Sequence, residues 1–333
     1  MNYQWLLSQL SILQEPHRQS FTAVNSRASD ILRPTGALAK LDEIAAWVGS
    51  WHKSFLPVIN NPATVIFAGD HGIALSGVSN YPVDVTAAMV AAFEAQKSTV
   101  TAFAEVVGSS VSVIDVGVGR PTADFRFQPA LDDLAFDQAI RAGQHAVDNT
   151  DCDLLVIGEM GIGNTTAAAA VSLLLCGGDV EEWVGRGTGI DDEKLAFKRE
   201  AVRQAVARVD KALINREPLR AVQQVGGHEL AAMVGAMVAA RQRRIPVVLD
   251  GFVVTASAMA LFAANNDALS HCWAGHLSPE HGHRRLLERI NKVPLLDLGM
   301  RLGEGSGALA AVPIVKMACA GITQVPTFAE WFK

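Results

Sequence analysis

Short apolar runs alternate with longer helical stretches along most of the chain. Six runs are continuous rather than alternating, as expected for strands covered on both faces: Ala63–Asp70, Ser110–Gly117, Cys152–Glu159, Ile245–Gly251, His271–His276 and Val293–Gly299. Helical patterns between them occupy Val83–Val107, Asp192–Ile214, Glu229–Arg241 and Phe252–Asn265. This alternation predicts an α/β fold with a doubly wound, mostly parallel sheet and flanking helices.

Both ends of the chain are also helical in pattern and flank this core. We expect an α/β core over residues 26–299 and a small helical subdomain from residues 1–25 and 300–333, which closes over the active site. A chain of 333 residues, 50% of them hydrophobic, is long enough for one large domain with such an addition. The sequence contains no internal repeat, low-complexity tract or long linker.

Polar or glycine clusters stand at the ends of most predicted strands. Asp70 ends the first run and His71 follows it, Glu159 ends the third, Asp250-Gly251 ends the fourth and His276 ends the fifth. In open α/β sheets the ligand binds in the crevice at the carboxyl ends of the strands. The sequence therefore predicts that the chemically active side chains lie at one edge of the sheet.

The charge and cysteine patterns narrow the class of protein. The formal net charge is −6 and no basic run exceeds Arg241–Arg244, so we expect no nucleic-acid partner. The amino terminus lacks the basic segment of a signal peptide, and the longest uncharged run, Met160–Gly178, contains four glycines, so we expect no membrane span. The four cysteines form no CxxC pair and fit buried thiols of a reducing compartment. These features predict a cytoplasmic protein.

A glycine-rich turn with the sequence GEMGIGNTT spans Gly158–Thr166 at a predicted strand-to-helix junction. Backbone N–H groups and hydroxyls at such a junction can bind a phosphate, but Asn164 or Thr165 could equally cap the helix. The turn lacks the Gly-Lys-Ser/Thr ending of a Walker A loop, so nucleoside triphosphatase chemistry is not expected. From the residues alone, a phosphate site and a helix cap both remain open.

A second glycine-rich turn, MRLGEGSGAL at Met300–Leu309, carries Glu304 between glycines before an apolar segment. A carboxyl group in apolar surroundings has a raised pKa and can act as a general base near neutral pH. A carboxylate at a helix N-terminus is instead stabilised by the helix dipole, which lowers its pKa. The two interpretations predict opposite shifts in the pKa of Glu304, and both remain open at this point.

A further cation and a set of histidines raise the question of phosphate or metal binding. Lys198 lies at the edge of an apolar helical stripe over Leu195–Leu213, from which it can extend to solvent or reach a phosphate. The spacing of His276, His281 and His283 is not that of HExxH, and no GxSxG supports Ser-His-Asp hydrolysis. We therefore expect no metal and no hydrolase triad.

Eight segments, taken in order, resemble the motifs of the nicotinate-nucleotide–dimethylbenzimidazole phosphoribosyltransferase family. They are RPTGALAKLD at Arg33–Asp42, FAGDHGI at Phe67–Ile73, YPVDVTAAM at Tyr81–Met89, GEMGIGNTTAAAA at Gly158–Ala170, GRGTGIDDEKLAFK at Gly185–Lys198, DGFVVTASA at Asp250–Ala258, HLSPEHGH at His276–His283 and LGMRLGEGSGA at Leu298–Ala308. The resemblance implies transfer of the phosphoribosyl group of nicotinate mononucleotide to 5,6-dimethylbenzimidazole, which gives α-ribazole 5′-phosphate and nicotinate. It also implies a step in nucleotide-loop assembly of cobalamin, a homodimer, and no metal or redox cofactor.

The same resemblance implies roles for individual residues. It implies that Glu304 and Glu159 are catalytic: Glu304 takes a proton from one benzimidazole nitrogen as the other attacks C1′, and Glu159 lies near the ribose. The residues implied for the phosphate and ribose are Gly161, Gly163, Asn164, Thr165, Lys198 and Arg301. The residues implied for the slot that holds the incoming base are Asp70, Tyr81, Pro82, Met89 and Leu302.

Two other functions are alternatives to this one. A catalytically silent phosphoribosyl-nucleotide binding protein would need the glycine turns but not Glu304. A transferase that uses phosphoribosyl pyrophosphate would bind Mg²⁺ through paired acidic residues after a strand, whereas Asp191-Asp192 follows a glycine turn. Activity in the presence of a chelator would separate the metal-dependent class from the family that the motifs resemble.

Overall fold

The computed structural model describes residues 3–187 and 189–333. Within them one sheet contains β1 Pro62–Gly69, β2 Ser110–Gly117, β3 Leu154–Met160, β4 Val247–Leu249 and β5 Cys272–Ala274. The helices are α1 Gln4–Leu10, α2 Arg18–Asp30, α3 Ala39–His52, α4 Val85–Glu94, α5 Thr99–Val107, α6 Asp133–Asp148, α7 Asn164–Cys176, α8 Asp192–Arg208, α9 Lys211–Arg216, α10 Arg220–Val225, α11 His228–Gln242, α12 Phe252–Ala264, α13 His283–Arg289, α14 Ser306–Thr323 and α15 Phe328–Trp331, with short 3-10 helices at Gly72–Ser76 and Val180–Glu182. The predicted segments 1–25 and 185–198 include residues 1, 2 and 188, which lie outside the described residues.

Neighbouring strands of the sheet are parallel, in the order β2-β1-β3-β4-β5. β1 pairs with β2 on one side, and on the other side it pairs with β3, where Phe67 stands opposite Glu159. The chain winds outward to β2 and then crosses back past β1 to β3. Doubly wound sheets bind ligands in the crevice at such a reversal. The predicted α/β class with a parallel sheet and flanking helices is confirmed.

Side chains of the strands alternate between two helical layers. In β1, Val65 and Phe67 pack into a layer that includes α6, α7, α8, α11 and α12, while Ile66 packs into a layer that includes α2, α3, α5 and α14. Every residue of β1 is buried. Because both faces are covered, the strand is apolar at consecutive positions rather than at every second one.

The segment Val293–Gly299 is not a strand, so that prediction is wrong. It runs beside the end of β5, where Leu296 forms only an isolated parallel bridge with His276. Pro294 has no N–H group to donate and therefore interrupts a regular ladder. The apolar run still packs against the sheet, because Leu295 and Leu296 contact the second layer.

Two predicted helices are each divided into two. Val83–Val107 contains α4 and α5, because Gln96 adopts a left-handed φ of 56° and Ser98 starts α5 with a capping box. Asp192–Ile214 contains α8 and α9, because the carboxylate of Asp210 caps α9. Local N-caps thus start a new helix inside segments that the apolar pattern alone predicts as one helix.

The terminal segments contribute to both helical layers. α1 packs against α11 in the first layer, whereas α2 and α14 contact each other and pack against α3 in the second, where α14 also contacts β3 and β4. By length and composition α14 could cross a membrane, but more than half of it is buried inside the protein, which accounts for its apolar sequence. The division into a core of residues 26–299 and a closing terminal subdomain stays a prediction.

The helices α6 and α11 cross at two glycines. A Cβ atom on Gly143 would lie 1.8 Å from the carbonyl oxygen of Ala232, and one on Gly235 would lie 2.0 Å from the carbonyl oxygen of Ile140. Neither position can hold a larger residue unless the two helices move apart. Because α11 also packs against β1, β2 and β3, such a movement would disturb the layer that covers the sheet.

The substitution Gly143→Ala tests this crossing. It is expected to lower the free energy of unfolding by about 2–3 kcal/mol, because the new methyl group forces packed helices apart. Helix propensity alone would favour alanine by about 1 kcal/mol. The matched control is Gly321→Ala in α14, where the nearest atom to the new Cβ is Nη1 of Arg33 at 3.7 Å, so stability should stay or rise. Urea unfolding followed by circular dichroism measures both, and an unchanged midpoint for Gly143→Ala would contradict the close crossing.

Candidate active site

A cavity of about 380 Å³ lies at the carboxyl ends of β3, β4 and β5. Its walls come from six parts of the chain that are distant in the sequence: residues 78–89, 159–165, 186–187 together with Lys198, 251–253, 276–280 and 301–304. Residues at the strand ends line it: Glu159 is the next-to-last residue of β3, and Gly251 and His276 each lie two residues beyond the ends of β4 and β5. The cavity is thus at the edge where the strand-end clusters of the sequence were expected to meet.

Most of the predicted site residues line this cavity. The lining includes Glu159, Glu304, Gly161, Gly163, Asn164, Thr165, Lys198, Arg301, Tyr81, Met89 and Leu302. Asp70 and Pro82 are not part of it. The carboxylate of Asp70 accepts a hydrogen bond from the N–H group of Gly119 at 2.7 Å and so holds the loop after β2. The carbonyl of Pro82 accepts from the N–H group of Val85 and shapes the turn into α4.

The first glycine turn forms one end of the cavity and leads directly into α7. Gly163 has a left-handed φ of 95°, and a Cβ atom on Gly161 would lie 2.5 Å from the carbonyl oxygen of Gly69. Glycine is therefore required at both positions, for conformation at one and for close packing at the other. The first residues of α7, Asn164 and Thr165, face the cavity, and a helix N-terminus of this kind favours an anion.

Lys198 places its amine beside this helix N-terminus. Its side chain is buried, and Nζ donates to Oγ1 of Thr165 at 2.9 Å and to the carbonyl of Gly185 at 3.2 Å. Burial lowers the pKa of Lys198 to about 8, while the nearby carboxylate of Glu280 acts in the opposite direction. The amine thus points into the site rather than out to solvent. Arg301 is exposed and donates to the carbonyl of Gly187 at 3.4 Å on the same side of the cavity.

Glu159 is the buried carboxyl group at the end of β3. Its Oε2 accepts a hydrogen bond from the side-chain amide of Asn164. Burial, together with the charges of Asp250 and Glu229, raises the pKa of Glu159 to about 8. The side chain therefore readily carries a proton near neutral pH and favours the ionised form when a positive charge is placed beside it.

Glu304 is held in an unusual backbone conformation beside Glu159. Its φ is 65°, between two glycines that also have positive φ, and its N–H group donates to the carbonyl of Glu159 at 3.3 Å. Its Oε2 is buried and has no hydrogen-bond partner among the described residues. Burial raises the pKa of Glu304 to about 7, although the backbone N–H of Val100 acts in the opposite direction. Of the two interpretations of this residue, desolvation outweighs stabilisation by a helix N-terminus.

An apolar wall completes the cavity on the side of α4. It is formed by Val78, Val85, Met89 and Ile162, with Tyr81 and Leu302 half exposed at the mouth. Oγ1 of Thr86 in α4 accepts from the N–H group of Ile162 at 3.2 Å and ties this wall to the glycine turn. Apolar side chains of this kind can pack against a flat aromatic ring, and Tyr81 offers both a ring face and a hydroxyl.

Several lining residues were missed by the sequence analysis: Arg186, Phe252, Val253, Ser278 and Glu280, together with a role for His276. The strand-end rule had already placed His276 at this edge of the sheet, although without a role in the site. Glu280 lies in a loop and gave no such signal.

Among the described residues no group of three His, Cys, Asp or Glu side chains could hold a metal ion. His283 is instead buried against Thr255 and Ser278, and burial, followed by the charge of His276, lowers its pKa to about 3.

A family model described as phosphoribosyltransferase matches residues 13–331. The chain belongs to this phosphoribosyltransferase family. A nicotinate-nucleotide–dimethylbenzimidazole phosphoribosyltransferase of Ruegeria sp. (strain TM1040) is 46% identical over 308 residues, which cover 92% of this chain and 90% of that protein. The protein of that name from Mesorhizobium japonicum is 47% identical and covers 92% of this chain and 91% of its own length. The crystal structure of CobT from Thermus thermophilus matches with a TM-score of 0.89 at 37% identity, over 94% of this chain and 98% of that one.

These similarities confirm the family predicted from the motifs, whereas the roles of individual residues stay predictions. The enzyme is a transferase with the family's fold over nearly its whole length. Its two glutamates can therefore be tested as parts of a phosphoribosyl-transfer site. Gly303 lies directly before Glu304, and a side chain at this position would reach Glu159.

Gly303→Ala is expected to displace Glu159. A Cβ atom on Gly303 would lie 2.7 Å from Oε1 of Glu159, so the carboxyl group has to move. The control is Gly299→Ala, which also replaces a glycine at positive φ but has no atom within 4 Å of the new Cβ. Both substitutions should cost about 1–2 kcal/mol of stability, but only Gly303→Ala should lower kcat/KM for phosphoribosyl transfer, by about tenfold or more. Equal losses of kcat/KM in the two variants would contradict a role for the position of Glu159.

Proposed function

We propose that the enzyme transfers the phosphoribosyl group of nicotinate mononucleotide to 5,6-dimethylbenzimidazole or a closely related base. The products are α-ribazole 5′-phosphate and nicotinate, with inversion at C1′, in the nucleotide-loop assembly step of cobalamin biosynthesis. One observation carries this proposal: two buried glutamates, both with raised pKa values, line the same cavity as the N-terminus of α7 and an apolar wall. Relatives named for this activity match over more than nine tenths of the chain.

The phosphate of the nucleotide binds at the start of α7 in this proposal. Backbone N–H groups of the glycine turn and the hydroxyl of Thr165 are the hydrogen-bond donors, and Lys198 and Arg301 supply positive charge. The hydrogen bond between Lys198 and Thr165 supports this assignment, because it aims the amine at the helix terminus. A bound phosphate would in turn favour the charged form of the buried amine.

Glu159 lies toward the ribose and the leaving group. The nicotinate ring of the donor carries a positive charge on its ring nitrogen, and C1′ becomes more positive as the bond to that nitrogen breaks. A carboxyl group whose pKa is about 8 ionises more readily beside such a cation, so its charge grows where the transition state needs it. Asn164 orients this carboxyl group through the amide hydrogen bond.

Glu304 acts as the general base. As one nitrogen of the benzimidazole forms the bond to C1′, the other nitrogen loses its proton to the free carboxylate oxygen of Glu304. The electron pair of the broken glycosidic bond goes to the nicotinate nitrogen, so the ring leaves neutral. A base with a pKa of about 7 is well matched to this transfer near neutral pH.

The oligomeric state and location are further parts of the proposal. We propose a cytoplasmic homodimer without a nucleic-acid or membrane partner, whose terminal segments close over the site. The resemblance to the family supports the dimer. The net charge of −6 argues against nucleic acid, and the burial of α14 in the core argues against a membrane.

The direct test is an assay with nicotinate mononucleotide and a panel of benzimidazoles, purines and phenols in the presence of a chelator. Chromatography and mass spectrometry detect free nicotinate and the α-linked nucleotide. Formation of both with dimethylbenzimidazole supports the proposal. Binding of the nucleotide with no product from any base would indicate a silent binding protein. In a parallel assay without chelator, activity only with added Mg²⁺ and phosphoribosyl pyrophosphate would indicate the other transferase class.

Glu304→Gln is expected to lower kcat by about 10²–10⁴, because the general base is lost. The affinity for nicotinate mononucleotide should change by less than about threefold, since the phosphate end of the site is untouched. In the wild-type enzyme kcat should rise with pH through about 7 and then level off, as the carboxyl group whose pKa is raised becomes ionised. The control is Glu105→Gln, which changes an exposed glutamate of α5. Turnover of Glu304→Gln at the wild-type rate would show that another group takes the proton.

Lys198→Met is expected to raise KM for nicotinate mononucleotide by about tenfold or more, because a desolvated cation beside the phosphate is removed. KM for the base should change much less. The matched control is Lys194→Met on the same helix, whose exposed amine donates to Asn80 at 2.8 Å. Steady-state kinetics with each substrate varied in turn measures the split. An equal change in both KM values would argue against a specific phosphate contact.

A further inference from the structure

Asp250 is a buried carboxylate that lies next to the cavity but does not line it. It follows β4 and is 1% exposed, whereas the next residues, Gly251, Phe252 and Val253, do line the cavity. A substrate therefore has no access to its side chain. Any effect of Asp250 on the reaction has to act through the groups that it contacts.

The carboxylate of Asp250 binds the start of α14. Its Oδ1 accepts from the N–H group of Ala308 at 2.8 Å, and its Oδ2 accepts from the N–H group of Gly305 at 3.2 Å. Both amides stand at the N-terminal end of the helix, where N–H groups have no acceptor within the helix itself. Nε2 of His276 lies 3.4 Å from Oδ1 and gives the carboxylate a third neighbour.

These contacts hold the backbone on one side of Glu304, and a second contact holds it on the other. Gly305 is the residue that follows Glu304, and the N–H group of Glu304 itself donates to the carbonyl of Glu159. A non-glycine residue with a φ of 65° persists only where the surrounding structure determines it. The ends of β3 and β4 together supply that constraint.

We propose that Asp250 is a positioning residue for phosphoribosyl transfer: its carboxylate fixes the first turn of α14 and thereby keeps the carboxyl group of Glu304 in the cavity. This inference rests on the proposed role of Glu304 as the general base. It assigns to the loop after β4 a function beyond covering the cavity. It also explains why a buried carboxylate without a Lys or Arg partner among the described residues stands at this strand end.

The charge of Asp250 acts in the same direction as its geometry. The titratable groups that face it are Glu159 at the end of β3, His276 after β5, His283 in α13 and Glu304 before α14. After burial, the charge of Asp250 contributes to the raised pKa of Glu159 and of Glu304. Removal of that charge should lower the pKa of Glu304 and make it a weaker base.

Asp250→Asn tests the inference with little change in size. We expect kcat to fall by about 10- to 100-fold, with a smaller change in KM for nicotinate mononucleotide, and the rising limb of the kcat–pH profile to move to lower pH. The control is Asp132→Asn, which removes an exposed carboxylate that caps α6 through the N–H group of Ala135 at 2.7 Å. It should leave both kcat and the profile unchanged. A purely structural role for Asp250 would reduce the folded fraction without moving the limb, and that result would overturn the inference.

Two further measurements keep the outcome decisive. In the wild-type enzyme, amide hydrogen exchange followed by NMR should show the Gly305 and Ala308 N–H groups protected like those of the middle of α14, and rapid exchange would overturn the inference even if Asp250→Asn does not fold. Glu304→Gln separates this inference from the function on which it rests. If Glu304→Gln is impaired but Asp250→Asn has wild-type kcat and pH profile, Glu304 remains the general base and the positioning role of Asp250 is wrong. If Glu304→Gln is fully active, the proposed function fails first.

Discussion

The backbone of Glu304 lies directly on Gly158 of β3, and the arrangement of the whole site depends on this contact. A Cβ atom at position 158 would lie 2.4 Å from the carbonyl oxygen of Glu304, so only glycine permits the approach. The contact joins the two glycine-rich turns and brings their glutamates to one cavity. The two turns thus pack against each other, and the glutamate of each turn lines the same cavity.

The electrostatic character of the cavity follows from this packing. Glu159, Asp250 and Glu304 are all buried at the same edge of the sheet, and the structure gives none of them a Lys or Arg partner among the described residues. Burial of a carboxyl group without a cation costs free energy and raises its pKa. A substrate with a positively charged ring would relieve part of this cost. Lys198 of α8 is separate from these carboxyl groups. Its amine lies beside the start of α7, where it binds the phosphate in the proposed function.

The fold was largely predictable because the signals were local. Continuous apolar runs predicted β1 and β3 with nearly correct bounds, since a strand covered on both faces has to be apolar at consecutive positions. The same signal failed at Val293–Gly299, which is apolar because it packs against the sheet although it does not join the ladder. It also failed at the division of Val83–Val107, where the cap at Ser98 depends on one side chain rather than on periodicity.

For the site, the sequence by itself determined which residue types stand at the strand ends, where glycine has to permit close backbone approach, and to which family the motifs belong. Only the tertiary structure decided how these residues act on one another. The pKa of Glu304 is raised because its turn is buried against β3, and Asp70 is withdrawn from the cavity because Gly119 binds its carboxylate. Glu280 enters the cavity from a loop without a pattern of its own. Periodicity reports what each segment needs to bury, whereas desolvation and contact distances depend on segments that meet only when the chain has folded.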